Sequence, residues 1–178
     1  MLNMSAENIR SIIERNYDAD YRTWQNIRST NCYAFALGLD VPEGKDYEWT
    51  SLPGAIGHEF LRTSFDEYTC DSWKLHRQFL SDLKALEIYC EVFPEDRRLY
   101  TRFLRRQRGH SWDILLFTTG SEYGDFHFVR IGSDGNWYCK WGNHVPEPTS
   151  MEEVTQDGYI FAKKYRLSLD RGCGVNKR

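Results

Sequence analysis

Residues 126–141 read FHFVRIGSDGNWYCKW and carry the strongest fold signal in the chain. In the first six letters apolar residues alternate with polar ones, which is typical of a strand. The segment 133–136, SDGN, favours a tight turn, and 137–141 is rich in the aromatic residues that strands prefer. The stretch therefore predicts an antiparallel hairpin.

Three helices are predicted upstream of this hairpin. Ser5 is suited to cap the first helix, whose apolar face is formed by Ile9, Ile12 and Ile13. Residues 31–38, NCYAFALG, predict a short apolar helix that ends at Gly38 or at the break formed by residues 40–42. Asp71 is suited to cap the third helix, in which apolar residues recur at helical spacing: Leu75, Phe79, Leu83 and Leu86.

Strands are predicted at 88–93, 114–118 and 159–162, in addition to the hairpin. Residues 41–70 contain Pro42, Pro53 and several glycines, and they predict a long loop that borders a site. Helices followed by an antiparallel sheet indicate an α+β domain. We expect a single domain over 1–170 and a mobile tail over 171–178.

Composition excludes several classes of protein. The net charge of -3 favours neither nucleic acid nor an anionic membrane as partner, and no apolar run has the length of a membrane span. The five cysteines follow no zinc-ligand spacing, and no glycine loop is suited to cradle phosphate, so we expect neither metal nor cofactor. No Sec signal peptide is evident, which favours a cytoplasmic protein or secretion by another route.

Cys32 is the first candidate for chemistry. It stands at the start of the short helix predicted over 31–38, where backbone N–H groups and the helix dipole stabilise a thiolate. The apolar residues that follow it are suited to fix the sulfur in place. The competing interpretation is an inert buried cysteine, since cysteine is among the most buried residue types.

His127 is the second candidate. It alternates with Phe126 and Phe128, so those two side chains point to the opposite face of the strand. If the phenylalanines face the core, His127 faces a cleft or solvent, where it is suited to act as a general base. Without Cys32, a surface histidine would be the preferred interpretation.

A third residue is needed to orient the imidazole through its other nitrogen. Asn143 follows the returning strand of the hairpin and is the first choice, although it is also suited to be a turn residue after Gly142. His144, Asp134 and Asp125 remain alternatives.

An oxyanion formed during acyl transfer requires hydrogen-bond donors near the sulfur. The backbone N–H of Cys32 is one candidate, and a side-chain amide from Gln25, Asn26 or Asn31 is the other. Gln25 has the longer reach, but the sequence does not choose firmly among the three.

These residues resemble a known family. The stretch NCYAFALG over 31–38 is similar to the nucleophile helix of the papain-like superfamily. The stretches DFHFVR over 125–130, DGNW over 134–137 and KWG over 140–142 are similar to its histidine hairpin. The match is nearest to a bacterial group related to the NlpC/P60-type cysteine hydrolases. The resemblance covers about residues 24–162. It does not determine the third residue of the site, for which Asn143 is the first choice.

The resemblance implies a papain-like α+β fold and a cysteine hydrolase of peptidase or amidase type. Cys32, His127 and Asn143 would form its catalytic triad and act on an amide or related acyl bond of a peptide, protein or small amide. A deamidase or acyltransferase effector acting on a protein side chain is one alternative. A catalytically inactive papain-like binding module is the other.

A second feature is an arginine cluster within residues 97–108, which contains six arginines interleaved with apolar residues. If this segment is helical, it is amphipathic and suited to an acidic partner or to phosphate. The preferred interpretation is a solvated helix face, because the chain as a whole carries negative charge.

Overall fold

The fold is described from a computed structural model, which defines residues 5–24, 30–39, 52–57, 71–93, 110–120, 124–142 and 144–170. Four α-helices lie in these ranges: α1 (Ala6–Asn16), α2 (Cys32–Leu37), α3 (Ser72–Ala85) and α4 (Met151–Gln156). A 3-10 helix covers Tyr21–Trp24. Six strands accompany them: β1 (Tyr89–Phe93), β2 (Ser111–Thr118), β3 (Phe126–Ile131), β4 (Trp137–Cys139), β5 (Glu147–Thr149) and β6 (Ile160–Ser168).

The caps predicted for α1 and α3 are confirmed. The Ser5 hydroxyl accepts the N–H of Asn8 at 3.3 Å, and the Asp71 carboxylate accepts the N–H of Lys74 at 2.9 Å. Each of these bonds satisfies a backbone donor that the first turn of a helix leaves without a partner. The apolar stripes of both helices are buried, except that Ile12 on α1 is only partly buried.

Helix α2 begins and ends as its sequence predicts. The side-chain oxygen of Asn31 accepts the N–H of Ala34 at 3.0 Å, which caps the first turn. Gly38 ends the helix with φ of 82°, a left-handed conformation that a side chain would disfavour. All six residues of α2 are buried, so the helix is held by packing on every side.

The strands form one antiparallel sheet in the order β1-β6-β2-β3-β4-β5. The predicted hairpin is β3–β4, and the N–H of Gly132 closes its turn by donating to the Asn136 carbonyl at 2.8 Å. β3 has the predicted bounds, whereas β4 ends at Cys139 rather than at residue 141. The last backbone pair of that hairpin is Val129 with Cys139.

One strand and one α-helix are missing from the sequence prediction. Strand β5 has three residues, one of which is Pro148, and so carries little strand signal. Helix α4 has a readable signature, because Ser150 and Glu153 have the residue types and spacing of a capping box. The Ser150 hydroxyl accepts the Glu153 N–H at 3.2 Å and donates to the Glu153 carboxylate at 3.0 Å.

Both faces of the sheet are covered around β2 and β3, where every residue is buried. A large apolar cluster joins α1, α2 and α3 to one face, which includes Phe126 and Phe128. A smaller cluster lies on the other face, beside α4, and includes Val129 and Ile131. Since β3 alternates between these two clusters, neither of its faces is a solvent face.

A buried carboxylate links α2 to α3 within the larger cluster. Asp82 is fully buried and accepts the Tyr33 hydroxyl and the N–H groups of Gly54 and Gly57, each at 2.6 Å. Burial raises the pKa of Asp82 to about 6, although these hydrogen bonds oppose the rise. Asp82 thus connects three segments that are far apart in the sequence.

Mixed helix and antiparallel sheet agree with the α+β prediction. No helix in the described ranges has the length and apolar character needed to cross a membrane. The predicted tail at 171–178 and nearly all of the predicted loop at 41–70 lie outside the described residues, with the exception of 52–57.

Candidate active site

Cys32 is the first residue of α2 and lies against β3. Its side chain is 6% exposed and belongs to the large apolar cluster. The backbone N–H groups of Phe128 and Tyr33 approach its sulfur, and both favour the thiolate. The helix start that the sequence predicted therefore places the sulfur beside the residue that follows His127.

Burial controls the protonation of this thiol. It raises the pKa of Cys32 to about 12, and the negative charge of Asp125 adds to the rise, whereas the two N–H groups oppose it. The resting side chain is consequently a neutral thiol at pH 7. The sequence suggested a thiolate stabilised by the helix start, but desolvation outweighs that effect here.

His127 lies on the face of β3 opposite Phe128, as predicted, but it does not face a cleft or solvent. Its side chain is 2% exposed, and its ring stacks on Trp141 with centroids 3.9 Å apart and planes 9° apart. The Tyr159 ring lies 5.6 Å away at a tilt. The expectation of an open face is wrong because aromatic side chains cover this end of the sheet.

The imidazole of His127 is held neutral. Burial lowers its pKa to about 4, and the negative charge of Asp125 opposes that shift. Its Nε2 atom is buried and has no hydrogen-bond partner among the described residues. A neutral imidazole with an unused ring nitrogen is able to accept a proton.

Among the described candidates for a third residue, Asp125 has the contacts that suit the role. Its charge acts on both Cys32 and His127. Its carboxylate is fixed by the Tyr159 hydroxyl, which donates at 2.7 Å, and by the N–H of Phe126 at 2.8 Å. The contact between Asp125 and Tyr159 spans 34 residues of chain and is not readable from local pattern.

The other candidates are placed differently. Asp134 lies in the β3–β4 turn, where it accepts the Tyr138 hydroxyl at 2.5 Å and the Asn136 amide at 3.0 Å. That turn is about four residues along β3 from His127, or roughly 13 Å at the usual rise of a strand. The side chain of His144 is exposed. Asn143, the first choice from the sequence, lies outside the described residues, so its role stays a prediction.

The oxyanion donors also stay predictions. Gln25 and Asn26 lie outside the described residues. Asn31 uses its side-chain oxygen to cap α2, which orients the residue directly before Cys32. Capping α2 is a sufficient reason for an asparagine at position 31, even if its side chain donates to no oxyanion. Capping and oxyanion binding therefore need separate tests.

Lys140 is a residue of this neighbourhood that sequence reasoning missed. It is fully buried, and its ammonium donates to the Gly142 carbonyl at 2.8 Å. Burial lowers its pKa to about 8, and the charge of Cys32 opposes that shift. The alternation of residues 137–141 signals that Lys140 shares a face with Tyr138, but lysine is seldom buried, and so its position was unexpected.

Two further cysteines in the described ranges are free. Cys90 and Cys139 each have a pKa raised to about 12, chiefly by burial. Cys70, Cys173 and the arginine cluster at 97–108 lie outside the described residues. In the ranges that the structure defines, no group of three or more His, Cys, Asp or Glu side chains is arranged to hold a metal ion.

Comparison with protein-family models, with curated proteins and with solved structures found no match to this chain.

Proposed function

We propose that the chain is a papain-like cysteine hydrolase, with Cys32 as nucleophile and His127 as general base. One observation carries the proposal. The sulfur at the start of α2 is approached by the amide of Phe128, the residue after His127, and the charge of Asp125 acts on both the thiol and the imidazole. The substrate class is an amide or related acyl bond in a peptide, protein or small molecule.

The protonation states indicate how such a site would react. A thiol with a pKa of about 12 and an imidazole with a pKa of about 4 remain neutral together at pH 7. Proton transfer from Cys32 to His127 therefore accompanies attack on the substrate carbonyl, instead of preceding it as a stable ion pair. The negative Asp125 stabilises the imidazolium that forms, and the Tyr159 hydroxyl fixes that carboxylate.

The rest of the reaction follows from the same groups. The imidazolium of His127 returns its proton to the leaving amine, and the acyl group remains on the Cys32 sulfur as a thioester. Water then attacks the thioester, His127 accepts its proton, and the thiol is regenerated. If an amine or hydroxyl of another molecule attacks instead, the same residues perform the acyl transfer of an acyltransferase. A deamidase uses the water route on a side-chain amide.

A second candidate function is a catalytically inactive binding module with the same fold. The burial of both groups favours it, because 6% exposure at Cys32 and 2% at His127 leave little surface for a substrate to reach. This candidate and the hydrolase make opposite predictions about the reactivity of the thiol.

Site-resolved alkylation of the native protein with iodoacetamide at pH 7 distinguishes the two candidates. Cys139 is the internal control, because it is buried and its pKa is also raised to about 12. In a hydrolase, Cys32 is alkylated at least about tenfold faster than Cys139, and His127→Ala removes the difference because the base is lost. Equal rates at Cys32 and Cys139 contradict the hydrolase and favour the binding module.

An activated ester provides a second test. A hydrolase releases a burst of leaving group equal to the enzyme concentration, followed by slower turnover, because the acyl-enzyme accumulates. Cys32→Ala removes the burst, whereas Cys139→Ala retains it. A burst that persists in Cys32→Ala would mean that another residue reacts.

A further inference from the structure

The register of the β3–β4 hairpin places Lys140 on the side of the sheet where Cys32 and Phe128 pack. Arg130 pairs with Tyr138, and Val129 pairs with Cys139, so the next residue after β4 falls beside Phe128. Strand side chains alternate, which places Lys140 on the face that Phe128 and Tyr138 share, towards α2. The amide of Phe128 approaches the Cys32 sulfur, and the charge of Cys32 acts on Lys140.

The ammonium of Lys140 has no carboxylate partner in the described residues, unlike the other buried lysine. Lys164 is 4% exposed, and its Nζ lies 2.8 Å from a carboxylate oxygen of Asp113. Lys140 is fully buried and donates to a single described acceptor, the neutral carbonyl of Gly142. A buried cation without an anion is costly, so its position calls for an explanation.

The charges of the groups around the Cys32 sulfur explain why a buried cation lies here. Asp125, Cys139 and Tyr159 each contribute negative charge when ionised, and His127 is neutral when unprotonated. Lys140 is a buried cation of this neighbourhood. A positive charge at this position would counter the repulsion that these acidic groups exert on a developing thiolate.

We propose that Lys140 is a positioning residue whose ammonium holds negative charge on the Cys32 sulfur. The assignment rests on the proposed function, since a nucleophile is what makes use of that charge. Lys140 acts through Cys32 and needs no contact with the substrate. It also explains how a thiol that burial keeps neutral becomes reactive: the cation is already in place when His127 removes the proton.

The experiment measures the alkylation rate of Cys32 against pH in wild type, Lys140→Met, Lys140→Arg and the control Lys164→Met. Methionine matches the length and apolar stem of lysine but lacks its charge. In Lys140→Met we expect the Cys32 rate at pH 7 to fall about tenfold and its pH profile to move up by about one unit. Lys140→Arg retains most of the rate, and Lys164→Met matches wild type.

A merely structural role gives a different result. Lys140→Met would then change the midpoint of thermal unfolding while its pH profile at Cys32 coincided with that of wild type, and this outcome overturns the proposal. An equal fall in Lys164→Met overturns it as well, because the effect would not be local. A failure of the proposed function is recognised separately, since wild-type Cys32 would react no faster than Cys139 whatever residue stands at 140.

Discussion

The two faces of the sheet differ in how they treat their buried polar groups. On the face covered by α1, α2 and α3, the Asp82 carboxylate accepts three hydrogen bonds of 2.6 Å and ties distant segments together. On the other face, His127 lies beneath Trp141 and leaves its Nε2 atom without a described partner. The satisfied carboxylate links distant segments of the chain, whereas the unsatisfied ring nitrogen is able to accept a proton.

The candidate site lies at the boundary between these two faces. Cys32 belongs to the larger cluster, whereas the ring of His127 stacks on Trp141 beside the smaller one. The peptide group between His127 and Phe128 links the two residues, because the amide of Phe128 approaches the Cys32 sulfur. A substitution in the larger cluster should therefore act mainly on stability. A substitution beside His127 should act mainly on protonation.

The largest expected effect is that of Phe128→Ala. Phe128 is fully buried, and its ring packs against Tyr33 and Phe79 with centroids 5.2 Å and 5.5 Å away. Truncation leaves a cavity in the larger cluster, so we expect the free energy of unfolding to fall by about 3–5 kcal/mol in urea denaturation. Trp141→Ala, from a partly buried ring of the smaller cluster, should cost less. Equal losses would contradict the contrast between the faces.

The second effect is a pH dependence of stability that comes from Asp82. Its pKa in the folded protein is raised to about 6 from an ordinary 3.8, so the folded state binds the proton more tightly than the unfolded state. The contribution of Asp82 to stability is therefore largest below about pH 4 and is lost as pH rises through 6. At about 1.4 kcal/mol per pKa unit, the change is on the order of 3 kcal/mol.

Urea denaturation between pH 4 and pH 7.5 measures this change, and Asp82→Asn is the control. Asparagine retains an acceptor for the Tyr33 hydroxyl but does not titrate, so the stability of wild type relative to the variant should rise as pH falls from 7.5 to 4. A difference that stays constant with pH would show that Asp82 has an ordinary pKa in the folded protein.

The third prediction concerns the covering of His127. Removing the stacked indole in Trp141→Ala exposes the imidazole to water, which weakens the burial that lowers its pKa. We expect the His127 pKa to rise from about 4 by roughly one unit or more, as followed by NMR titration. Trp73→Ala is the matched control, because Trp73 is exposed and its ring lies 5.8 Å from that of His76. If both variants leave the His127 resonance unchanged, Trp141 is not what desolvates the ring.

The smallest expected effect separates two roles of Asn31. Asn31→Ala removes the cap of α2 and should reduce the free energy of unfolding by about 1 kcal/mol, whereas Asn31→Ser retains a capping oxygen and should cost little. Serine supplies no amide donor, so a full burst of ester cleavage in Asn31→Ser assigns Asn31 to capping. Loss of the burst with stability intact would assign it to the oxyanion instead.

Local patterns predicted much of the fold. The start of α1, both ends of α2, the start of α3 and the bounds of β3 follow from caps and periodicity, which are properties of neighbouring residues. The extent of β6 was underestimated, because its residues 163–166 are largely charged and are buried or partly buried through contacts with β1 and β2. Such contacts are set by the tertiary fold and not by local sequence.

In the candidate site, too, some features follow from local sequence and others depend on tertiary contacts. The position of Cys32 at a helix start and the opposite facing of His127 and Phe128 were predicted from local pattern, and the catalytic roles of Cys32 and His127 stay predictions. Two features depend on how β6 and α2 approach the hairpin. They are the hydrogen bond from Tyr159 to Asp125 and the burial of Lys140. Burial raises the pKa of Cys32, whereas the helix start was expected to lower it. A helix start can be recognised in the sequence, but desolvation cannot.

The β3–β4 ladder stops at the pair of Val129 and Cys139, and the next amide along β3, that of Phe128, approaches a sulfur atom. This single peptide group joins the residue that would react to the residue that would remove its proton. Its nitrogen-15 resonance and its deuterium uptake should therefore report directly on whether the sulfur carries hydrogen, charge or an acyl group.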